Sequence, residues 1–87
     1  MKKKTEKKFN NDYVKSCDDN GELHSVNDEP TIVIPGQAKF WHKHGKLHRD
    51  GNKPAAEFAN GAIEFWIDGQ QVRRLEKNEA VFYYWEE

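Results

Sequence analysis

Three histidines lie close together in the stretch WHKHGKLHRDG, which spans residues 41–51. Imidazole nitrogens bind zinc, so His42, His44 and His48 are candidate metal ligands, with Cys17 as a fourth. Alternate residues of a strand point to the same side, so His42 and His44 share a side if the strand extends that far. A glycine follows His44 immediately, however. This favours a hairpin turn at His44, and we expect neither a metal site nor a cofactor.

Hydrolytic catalysis requires a nucleophile, a base and a pocket. The chain has two serines, Ser16 and Ser25, and Cys17 has no neighbour in the sequence that would activate its thiol. His48 and Asp50 lie close together in the sequence, but the thin β-sheet that a chain of this length would form offers little concavity for a pocket. The sequence therefore predicts a protein without catalytic residues.

Composition favours a single small folded domain. The chain has 87 residues, of which 36% are hydrophobic and 13% aromatic, and disordered chains are poor in aromatic residues. One cysteine cannot form an internal disulfide, which indicates a reducing compartment. No apolar run approaches the roughly 20 residues that span a bilayer, and the basic start has no apolar segment after it. We expect a cytoplasmic protein without membrane contact.

The charge divides the chain in two. Residues 1–8 hold five Lys and one Glu, whereas the whole chain has a net charge of −1, so the remainder is acidic. We expect residues 1–12 to form a basic N-terminal arm and residues 13–87 to form the folded domain. The arm is either a solvated terminus or an electrostatic tether to an acidic partner. Residues 9–17 fit a strand or a helix.

A repeat organises the rest of the sequence. Three sets of positions keep an interval of 24: Gly21, Gly45 and Gly69; Pro30, Pro54 and Asn78; His24, His48 and Val72. Recurrence at a fixed period indicates a repeat architecture with one supersecondary unit per copy. Because His48 recurs as His24, we interpret its ring as packing beneath a tryptophan, with one nitrogen bonded to a turn carbonyl.

Glycine-containing pairs mark the turns of these units. Two-residue turns are predicted at Asn20-Gly21, His44-Gly45, Asn60-Gly61 and Asp68-Gly69, and Pro35-Gly36 has type II chemistry. The segments between them are five to seven residues long and rich in β-branched and aromatic residues, which predicts strands, including the C-terminal AVFYYW. The fold expected is all-β: an antiparallel β-hairpin repeat meander in a single curved sheet of about three 24-residue repeats.

Strand alternation predicts two different sides of this sheet. Ile63 and Phe65 point one way and Trp66 the other. Trp66 follows Trp41 by one position more than the repeat period, so we match the two and place both tryptophans on the second side.

The central copy resembles MORN-like repeats found in bacteriophage and giant-virus proteins. The pattern W-x-x-x-G-x-x-H-R-x-x-x-x-P-A, then N-G and W, is read as Trp41, Gly45, His48, Arg49, Pro54, Ala55, Asn60, Gly61 and Trp66. The resemblance covers residues 19–85 and is degraded in the outer copies. It implies a curved sheet of stacked hairpins that acts as an interaction scaffold, and it implies no activity.

A non-catalytic protein-binding module fits these features best. We expect a small phage accessory protein that engages or inhibits a host protein. Trp and Arg are enriched at interface hot spots, and a C-terminal edge strand would allow a homodimer. The alternative is an anionic ligand, nucleic acid or nucleotide, although the acidic body disfavours nucleic acid. The candidate binding residues are Trp41, His48, Arg49, Trp66, Arg73, Tyr84 and Trp85.

Overall fold

A computed structural model of the protein describes residues 13–85. Within that range the chain forms seven short strands and then a helix: β1 (Ile32–Ile34), β2 (Ala38–Phe40), β3 (His42–Lys43), β4 (Lys46–Leu47), β5 (Ala56–Phe58), β6 (Ile63–Ile67), β7 (Gln70–Leu75) and α1 (Lys77–Trp85). The expected basic arm, residues 1–12, lies outside the described residues. Residues 13–31 contribute two isolated bridges, Val14 with Ile32 and Cys17 with Leu23.

Five strands form one open antiparallel sheet in the order β1-β2-β5-β6-β7, and β3 and β4 pair separately. The antiparallel β architecture is therefore confirmed, whereas the expectation of a single sheet is wrong. The chain leaves the large sheet at Trp41, which separates β2 from β3. The N–H of Trp41 donates to Ala55 O (2.8 Å), and its own C=O accepts the N–H of His48 (3.0 Å). Trp41 thus joins the sheet to the β3–β4 hairpin.

The predicted turns occur where the sequence placed them, but only two have two residues. His44 and Gly45 have φ of 47° and 85°, and Asp68 and Gly69 repeat this with 48° and 84°. Positive φ at both central residues is the geometry of a type I′ turn. Gly61 instead ends a longer turn, because its N–H donates to Phe58 O (2.9 Å). Gly21 does the same with Asp18 O, so the two-residue prediction is wrong at both positions.

Backbone hydrogen bonds recur at the repeat period. Thr31 N–H donates to Phe40 O, and one period later Ala55 N–H donates to Glu64 O, both at 2.8 Å. The strand registers agree, since Ile32 pairs with Phe40 and Ala56 with Glu64. Phe40 therefore corresponds in position to Glu64, and the next residue, Trp41, corresponds to Phe65.

The predicted match of Trp41 with Trp66 is consequently wrong by one residue. A one-residue shift reverses the side of a strand to which a side chain points. Trp41 and Phe65 are both buried, at 4% and 8% exposure. Trp66 lies on the opposite side of β6 from Phe65, so the two tryptophans do not share a side.

The C-terminal segment is a helix, which corrects both the all-β expectation and the predicted edge strand. Glu76 begins it as the N-cap: its N–H donates to Glu79 Oε1 (3.0 Å), and the N–H of Glu79 donates to Glu76 O (2.9 Å). This reciprocal cap outweighs the strand propensity of the aromatic residues that follow. Ala80 and Tyr83, on one side of the helix, pack on the sheet. Within residues 13–85 no helix has the length and apolarity needed to cross a membrane.

The hydrophobic core lies between α1 and one side of the sheet. Ile63, Phe65 and Leu75 form it from β6 and β7, and Ala80 and Tyr83 complete it from the helix. The ring centroids of Phe65 and Tyr83 lie 5.3 Å apart in an edge-to-face arrangement. The other side of the sheet therefore faces away from the helix.

Candidate functional site

Trp41 and Arg49, two of the candidate binding residues, are bound into the fold. The Arg49 guanidinium carbon lies 3.9 Å from the centroid of the Trp41 ring. Trp41 Nε1–H donates to Asp28 O (2.9 Å), and Arg49 donates to both carboxylate oxygens of Asp28 (3.0 and 3.1 Å) and to Pro54 O (3.0 Å). Stacking and bidentate pairing fix the orientation of this guanidinium, and Glu57 Oε2 lies 3.6 Å from its Nη1. These two residues stabilise the scaffold.

Asp28 is the acidic centre of this arrangement. Its carboxylate also accepts from Lys53 Nζ at 3.0 Å. Hydrogen bonds from Arg49, and secondarily from Lys53, lower the pKa of Asp28 from 3.8 to about 2. The carboxylate therefore remains ionised and paired over the neutral pH range.

Two loops of the same shape flank a cleft above Trp41. Asn27 and Asp28 have φ of 57° and 64°, and one repeat period later Gly51 and Asn52 have φ of 84° and 59°. The cleft between the loops has a volume of about 430 Å³, and Lys43, Asp50 and three histidine rings are among the groups that line it. Its lining combines apolar surface with charges of both signs.

His48 accepts a hydrogen bond from the neighbouring hairpin. Its Nδ1 accepts the backbone N–H of Asp68 at 3.0 Å, and the side chain is 9% exposed. A neutral imidazole has one donor and one acceptor nitrogen, so Nε2–H donates to Asp50 Oδ1 (2.7 Å). That bond lowers the pKa of the Asp50 carboxyl. The ring is buried, but the bonded turn group is an N–H and not the carbonyl that was predicted.

His24 makes the corresponding contact one unit earlier. Its Nδ1 accepts the backbone N–H of His44 at 3.1 Å, so both histidines accept from the first residue of the next hairpin turn. A second bond repeats beside it: Gly45 N–H donates to Leu23 O and Gly69 N–H to Leu47 O. Each histidine therefore joins its own unit to the next hairpin.

The four residues considered as metal ligands do not converge. His42 Nδ1 lies 2.6 Å from the Thr31 hydroxyl, and burial lowers the pKa of the His42 ring. His48 faces Asp50, and Cys17 pairs with Leu23 in the first hairpin. His44 lies instead beside Asp18, with its Nδ1 2.8 Å from Asp18 Oδ2.

A half-buried aromatic strip crosses the sheet on the side opposite α1. We define it by Phe40, Phe58, Glu64, Trp66 and Arg74, which are linked in a chain of contacts. The two phenylalanine rings meet edge-to-face at 5.9 Å, and the guanidinium of Arg74 lies 5.9 Å from the Phe58 centroid. Arg74 forms an ion pair with Glu64, whose other oxygen accepts Trp66 Nε1–H at 2.9 Å. The strip combines aromatic and guanidinium surface, the chemistry typical of interface hot spots.

The remaining candidate residues are dispersed. Arg73 pairs with Phe65 across β6 and β7, and its guanidinium carbon lies 5.7 Å from that ring. It therefore lies on the helix side, away from Trp66. Tyr84 and Trp85 belong to the last turn of α1, and their side chains lie outside the described part of the structure.

Sequence reasoning missed Asp28, Asp18 and the Phe40–Phe58 pair. Asp28 and Arg49 lie far apart in the sequence, and nothing in the residues around either one marks the two as partners. An alignment with a constant period would have placed Phe40 on the side of Glu64 and so on the side of the strip. Matching Trp41 with Trp66 assumed one extra residue between the two copies, and this assumption concealed the signal.

Comparisons with known proteins add no assignment: no family model, curated protein or solved structure matches the chain.

Proposed function

We propose that the protein is a non-catalytic module that binds another protein through the aromatic strip. The observation that carries this proposal is that the strip lies on the sheet side opposite the only helix of residues 13–85. Its rings and the Trp66 indole are only half-buried. Aromatic rings on such a surface supply a large contact area, and tryptophan and arginine are enriched at interface hot spots.

The scaffold that carries the strip is proposed to be a set of three MORN-like repeats. Support comes from the single period shared by the strand registers, the histidine bonds and the positive-φ loops. A repeat that cannot bury its own apolar side is stabilised by its neighbours, and the exposed side of the array is then available for binding.

The partner to test first is a host-cell protein in the cytoplasm. This choice rests on the resemblance to repeats of bacteriophage proteins and on a chain with a single cysteine. A homodimer through sheet edges is less favoured. Residues 13–15 hydrogen-bond to the chain at β1 and so occupy that edge of the sheet. At the other edge, symmetric pairing of two β7 strands would place the arginines of the two copies opposite each other beside the bulge at Val72, where like charges repel.

Affinity capture with strip variants tests the proposal. The full chain, immobilised by a tag, is expected to retain a stoichiometric protein from a bacterial lysate, and Trp66→Ala and Phe58→Ala are expected to lose it. Val72→Ala is the matched control, because Val72 is 60% exposed on β7 but lies outside the strip. Retention that is equal in all variants would exclude the strip as the binding surface.

A second candidate function is binding of an anionic ligand in the cleft between the two loops. Lys43 lines the cleft, and its ammonium group favours an oxyanion. Arg49 was a candidate for such binding, but it is already paired with Asp28, and so is Lys53. Titration with an oligonucleotide should show affinity that falls steeply with salt and falls further in Lys43→Ala; salt-independent binding excludes phosphate contacts.

A further inference from the structure

Two histidines and one aspartate from separate segments meet where the turn between Cys17 and Leu23, called here the first hairpin, contacts the β3–β4 hairpin. Asp18 precedes the first turn, His24 follows it, and His44 begins the turn of the β3–β4 hairpin. One ligand atom of each residue lies within 4.8 Å of the ligand atoms of the other two. The ring centroids of His24 and His44 are 4.3 Å apart.

The donor atoms suit a borderline divalent cation. Imidazole nitrogen with carboxylate oxygen is a ligand set typical of zinc and of neighbouring first-row metals, and a hard cation such as magnesium prefers oxygen alone. Asp18 Oδ2 and His44 Nδ1 are 2.8 Å apart, so a small opening of that pair would admit an ion between them. The Glu22 side chain, which lies 3.6 Å from the position of a Cβ on Gly45, adds negative potential beside the site.

We propose that Asp18, His24 and His44 bind one divalent transition-metal ion of the zinc type. The ion joins the first hairpin to the β3–β4 hairpin and keeps one coordination position for water. His44 is 63% exposed, so the site opens directly to solvent.

Metal binding determines which ring nitrogen of each histidine carries the hydrogen. His24 Nδ1 now accepts the His44 N–H, so its ring hydrogen is on Nε2. Ligation through Nδ1 takes the lone pair that accepts this N–H, and ligation through Nε2 moves the ring hydrogen to Nδ1. Either route removes the hydrogen bond. When His44 Nδ1 becomes a ligand, its hydrogen moves to Nε2 of the same ring. Metal binding thus replaces a backbone contact between the hairpins with bonds to the ion.

The next hairpin contact provides an internal control. The positions one repeat period later hold the same residue types in a different order: His42, His48 and Asp68. There His42 is held by Thr31, so the three do not converge, although His48 Nδ1 and Asp68 Oδ1 lie 3.5 Å apart. The proposal therefore assigns one metal ion to the chain and not two.

Calorimetric titration of the full chain with zinc chloride at neutral pH tests the proposal. We expect one ion per chain and an affinity that falls at least tenfold in His44→Asn. Asparagine tolerates the φ of 47° at this turn, so that variant should keep the hairpin. Asp68→Asn, at the corresponding turn position of the next hairpin, should bind zinc as the natural chain does.

Hydrogen exchange of the His44 amide gives a second readout that a nonspecific surface ion would not change. Saturating zinc should accelerate exchange at His44 and leave exchange at the Asp68 amide unchanged. The proposal is overturned if zinc does not bind, if His44→Asn binds it with the affinity of the natural chain, or if the His44 amide keeps its protection in the saturated protein.

Discussion

Two aromatic–arginine pairs occupy corresponding positions in the molecule and have different surroundings. Arg49 stacks on Trp41 at 3.9 Å, and one repeat period later Arg73 lies over Phe65 at 5.7 Å. The first guanidinium is held by Asp28 and by a backbone carbonyl. Arg73 forms no ion pair with any residue from 13 to 85 and is exposed.

The difference begins at one loop position. Asp28 supplies the carboxylate that holds Arg49, and the corresponding residue of the next unit is Asn52, which has no charge. The backbone carbonyl at this position nevertheless has the same role in both units. Asp28 O accepts Trp41 Nε1–H at 2.9 Å, and Asn52 O accepts Tyr83 O–H at 3.2 Å. The helix therefore closes the last unit, where no further repeat follows in the described chain.

This comparison shows that a repeat position does not have a fixed role. An arginine at the same position stabilises the fold where an acidic residue faces it and remains on the surface where none does. The hydrogen bonds that recur in both units each use a backbone group as donor or acceptor, whereas the ion pair that differs joins two side chains. Substitutions in pairs of corresponding residues can separate the contacts that recur in both units from those that occur in only one.

The largest expected effect contrasts the two tryptophans. Trp41→Ala should lower the free energy of unfolding by about 3–5 kcal/mol, because it removes a buried ring and its hydrogen bond to Asp28. Trp66→Ala removes a half-buried ring from the strip and should cost only about 1–2 kcal/mol. Urea denaturation followed by circular dichroism measures both. Equal losses would contradict the assignment of Trp41 to the scaffold and Trp66 to the surface.

The two histidines give the next contrast. His48→Ala should cost about 2 kcal/mol, because it removes a buried ring and leaves the partly buried Asp68 N–H without its acceptor. His24→Ala should cost about 1 kcal/mol, because His24 is only half-buried and water can reach the freed His44 N–H. Denaturation without added metal gives the comparison. A larger loss for His24 would show that the first hairpin contact is the stronger one.

The sequence predicted the recurring contacts better than the differing ones. Glycine spacing located the turns at Gly45 and Gly69, since positive φ at these positions requires a local sequence signal. The repetition of His48 at His24 indicated a packing role for both. The pairing of Asp28 with Arg49 depends on how one loop lies against the next, and the spacing of residues within a segment does not predict that arrangement.

Two errors have particular physical causes. The C-terminal aromatic residues have strand propensity, but the cap formed by Glu76 and Glu79 and the packing of Ala80 determine a helix. The match of Trp41 to Trp66 followed residue type, whereas the backbone keeps a constant period. One residue of shift moved a buried side chain to the wrong side of the sheet.

The arginine pair is the third contrast. Arg49→Ala should lower the free energy of unfolding by about 1–2 kcal/mol, because it leaves the Asp28 carboxylate with Lys53 as its only charged partner. Arg73→Ala should change stability by less than about 0.5 kcal/mol. Arg49→Lys should recover little, because an ammonium can neither stack on Trp41 nor bind the carboxylate at two points. Thermal denaturation at one protein concentration compares the three, and a full recovery by lysine would show that charge alone is responsible.

The smallest effect concerns pH and again separates the two units. The folded pKa of Asp28, about 2, lies below its ordinary value of 3.8, so the ionised carboxylate stabilises the fold. This contribution is fully present above about pH 4 and is lost as the pH falls towards 2. Because the side chain is 44% exposed and solvent screens the pair, we expect a loss below about 1 kcal/mol. Asp28→Asn places at position 28 the residue that position 52 already has, so its stability should fall less over the same interval. If natural chain and variant lose stability in parallel between pH 4 and pH 2, the Asp28–Arg49 pair contributes nothing to the difference between the units, and the stacking of Arg49 on Trp41 must account for it.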